Sequence, residues 1–365
     1  MAGNAEKHLV IDKRIARNWA DLPKKILVLI AKGLSCSNQL RFRGVCKSWR
    51  SIRMVEILAV NGLPCLVRFS CVDDGNGGVI SECLISLPTD QSTIPFFHKI
   101  DRDDKQKFVG AKVVDSKAGW LFCISKRQSF TFLFLYNPFT KEIIVLPDLD
   151  VVNHHSHTFL YVATSSSPSS HDCIFFAAYQ SSSYFFVNSC CKGDNGWIIN
   201  RFPTKTPISR ILCTGNALYC LSLDETLHAF SMEDHCMTVL GEFSWKRLSK
   251  SYFFEYHREL LLAFFQDQDA VTWRVFRFDR SQVTWKEVRP SENLTIFIGC
   301  GYSSGLKSEV AWGLGEPFKG SICYLEHSNI VFYSFKDGRV CKLPSPYSRQ
   351  AVYNGYLWYQ IPYLC

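Results

Sequence analysis

Two periodicities divide this chain. Between Trp19 and Arg53 the apolar residues recur at helical spacing, with Ile26, Leu29, Ile30 and Leu34 on one stripe. Asp21 is placed to cap a helix starting at Leu22, Pro23 falls in the first turn where its missing N–H is not needed, and Gly33 supplies a stop. Ser37 can cap a second, short helix through Leu40 and Phe42, and a third segment from Val45 to Ile52 carries Cys46 and Trp49 on one side. Three helices this short cannot bury all of that surface among themselves, so the pattern implies a partner. Met54 to Ala59 extends the last helix, and Asn61-Gly62-Leu63-Pro64 punctuates the boundary.

From Cys65 onward the texture changes to short runs of β-branched and aromatic residues separated by Gly, Ser, Asp, Asn and Pro clusters, a strand-and-turn pattern. One unit recurs: a strand, a polar turn, then a second strand. The clearest copy is Leu133 to Tyr136, the turn Asn137 to Lys141, then Glu142 to Leu146 before Pro147. Further copies start near Leu66, Tyr184, Leu227, Arg274 and Ile330, with turns at Ser231 to Cys236, Asp279 to Gln282 and Lys336 to Gly338 in the last three. Counted from Leu133, successive starts are offset by 51, 43, 47 and 56 residues. These offsets lie near the period of about 40 to 50 residues of four-stranded propeller blades. Two more strands fit ahead of most hairpins, such as Gly119 to Ile124 and Ala217 to Leu221. Ala351 to Ile361 is placed to close the ring alongside the N-terminal strands. A β-sandwich or an open stack of meanders would share the strand density. The expected fold is therefore α+β and multidomain: a polar tail over 1–18, a three-helix unit over 19–60, and an all-β, propeller-like domain of about six blades over 61–365.

Composition agrees with that division. Hydrophobic residues make up 47% of the chain and aromatics 14%, which excludes a disordered chain and favours packed β structure. Residues 1–60 hold 12 Lys/Arg against 4 Asp/Glu, whereas the remainder holds 29 of each, so the whole formal charge of +8 lies on and beside the helical unit. A basic module attracts nucleic acid, an anionic membrane or an acidic protein. No helix-turn-helix, zinc-finger or aromatic RNA-binding signature accompanies it, which makes nucleic acid the weaker reading. No segment approaches the roughly 18 uninterrupted apolar residues of a membrane span, and no early apolar run resembles a signal peptide. The expectation is a protein of the nucleus or cytoplasm, without a membrane partner. The 16 cysteines are scattered without CxxC pairing and read as small buried hydrophobes.

Leu22-Pro23, the Ile26/Leu29/Ile30 stripe and the run Arg41-Phe42-Arg43-Gly44-Val45-Cys46-Lys47-Ser48-Trp49-Arg50 resemble an F-box, particularly the plant version ending in VCKSWR. Asn38 stands where an acidic residue is common and Gly44 where a better helix former is usual, which implies a shorter second helix. Ala118-Gly119-Trp120-Leu121, Tyr136 to Thr140 with Leu146-Pro147, Trp285 to Val288 and Ile296 to Gly299 are similar to the F-box-associated, KIB-type propeller domain of plants. The resemblance implies the substrate receptor of a Skp–cullin–F-box ubiquitin ligase. Its adaptor contact would be made by Leu22, Pro23, Ile26, Leu27, Ile30, Leu40, Val45, Cys46 and Trp49, the Skp-type adaptor would link it to a cullin-RING ligase, and the propeller would hold an unidentified target. Skp-type adaptors are acidic, in keeping with the basic N-terminal part.

Gly301-Tyr302-Ser303-Ser304-Gly305 matches the G-x-S-x-G nucleophile elbow, but only His327 lies downstream and no helical pattern follows, so a loop between blades is expected. His154, His155 and His157 lack an accompanying carboxylate or cysteine in a ligand arrangement and read as a solvated loop. Walker, dinucleotide and HExxH patterns are missing, so neither cofactor nor catalysis is expected. The alternative is a propeller that binds a ligand or acts as an enzyme, with the F-box serving its own turnover; convergent His, Asp or Glu side chains at the ring centre would support it.

Overall fold

A computed structural model describes residues 19–34, 38, 42, 45–52, 65–86, 93–103, 105–126, 130–150, 160–181, 183–242, 250–267, 271–289, 294–298, 303–307, 320–326, 329–344 and 357–359. The chain divides into two compact units, 1–58 and 59–365.

The second unit is a six-bladed β-propeller. Blade 1 combines β1 (Cys65–Asp73), β2 (Val79–Ser86) and β3 (Thr93–Ile100) with the last of the described strands, β25 (Leu357–Tyr359), which pairs antiparallel with β1 through Cys65↔Tyr359 and Val67↔Leu357. This pairing closes the ring within the segment expected to close it. Blade 2 is β4 (Lys112–Lys117), β5 (Trp120–Lys126), β6 (Thr131–Tyr136) and β7 (Ile143–Val145), and blade 3 is β8 (Leu160–Thr164), β9 (Ile174–Ser181), β10 (Tyr184–Cys191) and β11 (Ile198–Pro203). Blade 4 is β12 (Ile208–Thr214), β13 (Ala217–Ser222), β14 (Thr226–Ser231) and β15 (Met237–Glu242), and blade 5 is β16 (Lys250–Tyr256), β17 (Glu259–Asp267), β18 (Val271–Asp279) and β19 (Thr284–Val288). Blade 6 has five strands in the order β21 (Ser303–Lys307), β20 (Leu294–Ile298), β22 (Ser321–Glu326), β23 (Asn329–Ser334) and β24 (Val340–Pro344), with β20 and β22 parallel.

The core explains why the strands read as nearly unbroken apolar runs. Successive side chains of a strand point to opposite faces, and each blade is covered on both. In β17, Leu260, Leu262 and Phe264 pack toward blade 4 with Tyr219, Leu221 and Leu227, while Leu261 and Ala263 pack toward blade 6 with Ile296, Ile298 and Ile322. In β9, Phe175, Ala177 and Tyr179 meet Trp120, Phe122 and Leu135 of blade 2, whereas Phe176 and Ala178 meet Leu218 and Cys220 of blade 4. No solvent face remains in the middle strands, so strict polar alternation never develops. All six residues of β6 are buried.

The hairpin copies read from sequence coincide with the last two strands of blades 2 to 6. The copy near Leu66 falls instead on β1, the second strand of blade 1, because the chain's own C-terminus supplies the strand before it. Four of these hairpins share one turn. The residue four places after a polar residue adopts positive φ: Lys141 at 64° after Asn137, His235 at 55° after Ser231, Val283 at 53° after Asp279, and Gly338 at 69° after Ser334. Polar side chains hold these turns, as where Asn137 Oδ1 accepts the Phe139 and Thr140 N–H groups at 3.0 and 3.1 Å, and Asp279 Oδ1 accepts the Ser281 N–H at 2.9 Å. The Gly301 to Gly305 stretch corrects the loop reading: Ser303 to Gly305 belong to β21, which pairs with β20 through Ile298↔Ser303. Gly301, Tyr302, His327 and the His154/His155/His157 group lie outside the described residues.

All the cysteines described are free, and Cys71, Cys83, Cys123, Cys173, Cys190, Cys213, Cys220 and Cys323 are buried, as expected of small apolar side chains. Burial pushes the Cys71, Cys190 and Cys213 thiols up to about 12, which keeps them protonated.

Candidate functional site

The helical unit begins with a short 3-10 turn, Trp19–Asp21, followed by α1 (Lys24–Lys32) and, further on, α2 (Lys47–Arg50). Helix α1 starts two residues later than the Asp21 cap implies. A residue before proline is pushed out of the helical region, so Leu22 cannot open the helix. Pro23 takes the cap position with φ −55° and ψ 141°, and its carbonyl accepts the Ile26 and Leu27 N–H groups at 2.9 and 3.1 Å. Gly33 does end the helix. Of the second expected helix, Asn38 and Phe42 are helical, while Ser37 and Leu40 lie outside the described residues.

A small core holds the unit together. Leu27, Ala31, Phe42 and Ile52 are buried, with Leu22, Val28, Ile30, Leu34 and Trp49 packed partly against them. The Phe42 and Trp49 rings stack with centroids 4.2 Å apart, and Trp49 Nε1–H donates to the Trp19 carbonyl at 3.0 Å, tying the first turn to α2. These contacts leave a contrasting set of apolar side chains outside: Trp19 is 69% exposed, Leu29 65%, Val45 61% and Ile26 43%. Pro23 is exposed, and Leu22, Ile30, Cys46 and Trp49 are half-buried.

The nine residues assigned to an adaptor contact therefore separate by position. Pro23, Ile26 and Val45 offer surface. Leu27, at 1% exposure, has almost none left to offer and packs the unit from inside. Leu40 lies outside the described residues. Trp19 and Leu29 are exposed and were not among the nine. Leu29 carried a signal, since it sits on the stripe with Ile26 and Ile30; Trp19 carried none beyond its place next to Asp21.

The centre of the propeller brings together Asp115 and Lys117, two positions apart on the innermost strand of blade 2 and beside a bulge between Val113 and Asp115. Lys117 Nζ donates to the carbonyls of Thr164 in blade 3 and Cys213 in blade 4, at 2.9 and 3.3 Å. One ammonium thus satisfies inner-edge acceptors of two other blades. Burial pushes the Asp115 carboxyl up to about 8, against the lowering pull of the Ser116 N–H and of Lys117. Burial thus favours the neutral acid form of Asp115. No nucleophile–base pair accompanies it among the described residues, nor do three metal-ligating side chains converge anywhere among them. Among the described residues, no helix is long and apolar enough to cross a membrane.

Residues 19–58 match the F-box domain family, and residues 84–347 match the KIB1-4 beta-propeller family. The F-box/kelch-repeat protein At1g57790 of Arabidopsis thaliana is 24% identical over 88% of this chain and 88% of its own length. The Arabidopsis F-box protein At4g00893 is also 24% identical, over 88% of this chain and 81% of its own, and the F-box protein At3g56470 is 23% identical over 82% and 76%. Among solved structures, a putative 6-phosphogluconolactonase from Bacteroides fragilis covers 82% of this chain and 96% of its own at 8% identity, with a TM-score of 0.36.

Proposed function

We propose that this chain, which belongs to the KIB1-4 β-propeller family and carries a plant-type F-box, is a non-catalytic substrate receptor of a Skp–cullin–F-box ubiquitin ligase. The observation that carries the reading is the exposed apolar set on the helical unit, formed by Trp19, Pro23, Ile26, Leu29 and Val45. Such side chains gain about 25 cal/mol per Å² when a partner covers them, and a few large anchors dominate contacts of this kind. Leu27 and Phe42 belong to the core of the unit, with Leu22, Ile30 and Trp49 packed partly against it, and Cys46 is half-buried. The partner is a Skp-type adaptor, and the excess of basic residues beside the face favours an acidic one.

In this mechanism the propeller holds a target protein while the adaptor connects the complex to a cullin-RING ligase. Rate enhancement comes from effective concentration, since a target lysine is kept near a charged ubiquitin-conjugating enzyme. Asp115 and Lys117 maintain the ring centre, and the receptor itself forms no covalent bond. It acts in the cytoplasm or nucleus, where cullin-based ligases work.

Co-purification of the chain with a plant Skp-type adaptor tests the reading, with a Leu22→Ala/Pro23→Ala double variant as the comparison. Stoichiometric capture by the wild type, lost in the variant, is the expected result. Failure of the folded wild type to bind the adaptor would overturn it.

A further inference from the structure

Three cations on the strands of blade 5 are paired with acids. Arg274 forms a two-pronged contact with Glu287, Arg277 meets Glu259 at 3.1 Å, and Lys286 meets Asp279 at 2.7 Å. Arg258 and Arg280 stand outside this pairing. Both are exposed, and neither forms an ion pair among the described residues. Arg258 sits in the two-residue turn between β16 and β17, and Arg280 in the turn between β18 and β19. In a four-stranded antiparallel blade these two turns fall at the same end of the ring. Asp279, next to Arg280 in sequence, is already occupied by Lys286 and by the N–H and hydroxyl of Ser281.

Both arginine turns are built rather than loose. Arg280 Nη2 donates to the main-chain carbonyl of Arg258 at 3.2 Å, and its guanidinium lies over the Tyr219 ring of blade 4 at 5.5 Å from the centroid. The first turn places His257 and Arg258 consecutively at positive φ, 52° and 63°. Turns of this type favour Asn-Gly, because in the left-handed region Cβ crowds the following carbonyl oxygen. The strained residues His257 and Arg258 thus lie beside Arg280, and strain of this kind concentrates where a ligand is gripped.

We propose that Arg258 and Arg280 form a docking point for an acidic segment of a target protein, recognised through Asp or Glu carboxylates. The proposal rests on the receptor reading above and gives its target-binding side a chemistry. A planar guanidinium matches a carboxylate through two parallel N–H donors. Arg280 is already held on Tyr219 and over the Arg258 carbonyl, so it loses little freedom on binding. His257 lies beside the point, its ring edge-on to Tyr256 at 4.2 Å.

The test uses the full-length chain and short fluorescent peptides of alternating Glu and Gly, with Gln-for-Glu and phosphoserine-for-Glu counterparts, read by anisotropy at low and high salt. The Glu peptide binds and the Gln peptide does not. Arg258→Ala/Arg280→Ala weakens binding by at least about tenfold, as expected for loss of charge-assisted hydrogen bonds. Arg280→Lys gives an intermediate loss, because the charge stays and the fork goes, while Lys336→Ala in the corresponding turn of blade 6 leaves binding unchanged. Equal binding of Glu and Gln peptides, or an unchanged affinity of a folded double variant, would overturn the proposal. So would capture of the phosphoserine peptide alone. Adaptor co-purification from the same preparations separates the two ideas: adaptor bound without the Glu peptide sinks only the docking point, and the Glu peptide bound without adaptor sinks only the receptor reading.

Discussion

The helical unit and the propeller use apolar side chains in opposite ways. In the propeller both faces of the middle strands are covered by neighbouring blades, so large residues such as Trp120, Phe264 and Phe276 are nearly inaccessible. In the helical unit one side of α1 supplies Leu27 and Ala31 to a small core, while Ile26 and Leu29 on the same helix face outward. Apolar patterning in the propeller closes a structure, and in the helical unit it leaves part of the apolar surface exposed. Substitutions should therefore have opposite signatures: loss of stability without a specific binding defect in the ring, and loss of binding without instability in the helical unit.

The largest effect on stability is expected at a blade seam. Trp120 packs against Phe175 and Ala177 of blade 3 and donates its indole N–H to Ser169 Oγ at 3.2 Å. Trp120→Ala should lower unfolding free energy by about 3 to 5 kcal/mol in urea titrations. A change below about 1 kcal/mol would show that the seam is not closely packed. Ile26→Asp should do the reverse. Thermal unfolding of the chain should barely move, while adaptor affinity falls by about thirtyfold or more, the loss expected of a central anchor. Equal loss of folding and binding would dissolve the distinction between the two regions.

A smaller effect concerns the ring centre and pH. Asp115 holds its proton up to about 8 in the folded chain, but ionises near 4 once unfolded. Between those values the folded state binds the extra proton, so this group's contribution is full below about pH 4 and declines as pH rises to about 8. Asp115→Asn should flatten that part of the stability profile, seen as a smaller drop in Tm between pH 5 and pH 8. An identical profile in the variant would place the titration elsewhere.

The smallest effect separates two copies of one turn. Val283 is a β-branched residue at φ 53°, while Gly338 occupies the equivalent place at 69°. Val283→Gly should stabilise by about 1 kcal/mol, and Gly338→Val should destabilise by a similar amount, because only glycine adopts that region freely. A Cβ at Gly338 would meet only the Tyr333 hydroxyl, at 3.7 Å, so the expected cost is conformational and not steric. Calorimetric Tm values of the pair check both signs together.

The blades were legible because burial on both faces produces apolar runs bounded by polar turns, and because Asn137, Ser231, Asp279 and Ser334 mark those turns with the residue types they need. The helical unit was legible from its stripe and from Leu22-Pro23, although the backbone restriction imposed by Pro23 on Leu22 outweighs Asp21 as a cap and moves the start of α1. Features that join distant parts of the chain left little trace. Lys117 reaches carbonyls 47 and 96 residues away, and the parallel pairing of β20 with β22 depends on an extra strand between them in sequence. The hairpin near Leu66 is β1 with β2, the second and third strands of blade 1, because β25 supplies the strand before it. On the helical unit, spacing identified the stripe but could not separate Leu27, which turns inward, from Ile26 and Leu29, which do not.

Titration calorimetry of the full-length chain with a purified Skp-type adaptor, repeated over a range of temperatures, tests the central claim most directly. The account predicts one-to-one binding with a negative heat-capacity change, the signature of apolar surface leaving water. Absence of binding by a folded chain would contradict it, as would binding whose heat capacity does not change and whose strength depends only on salt.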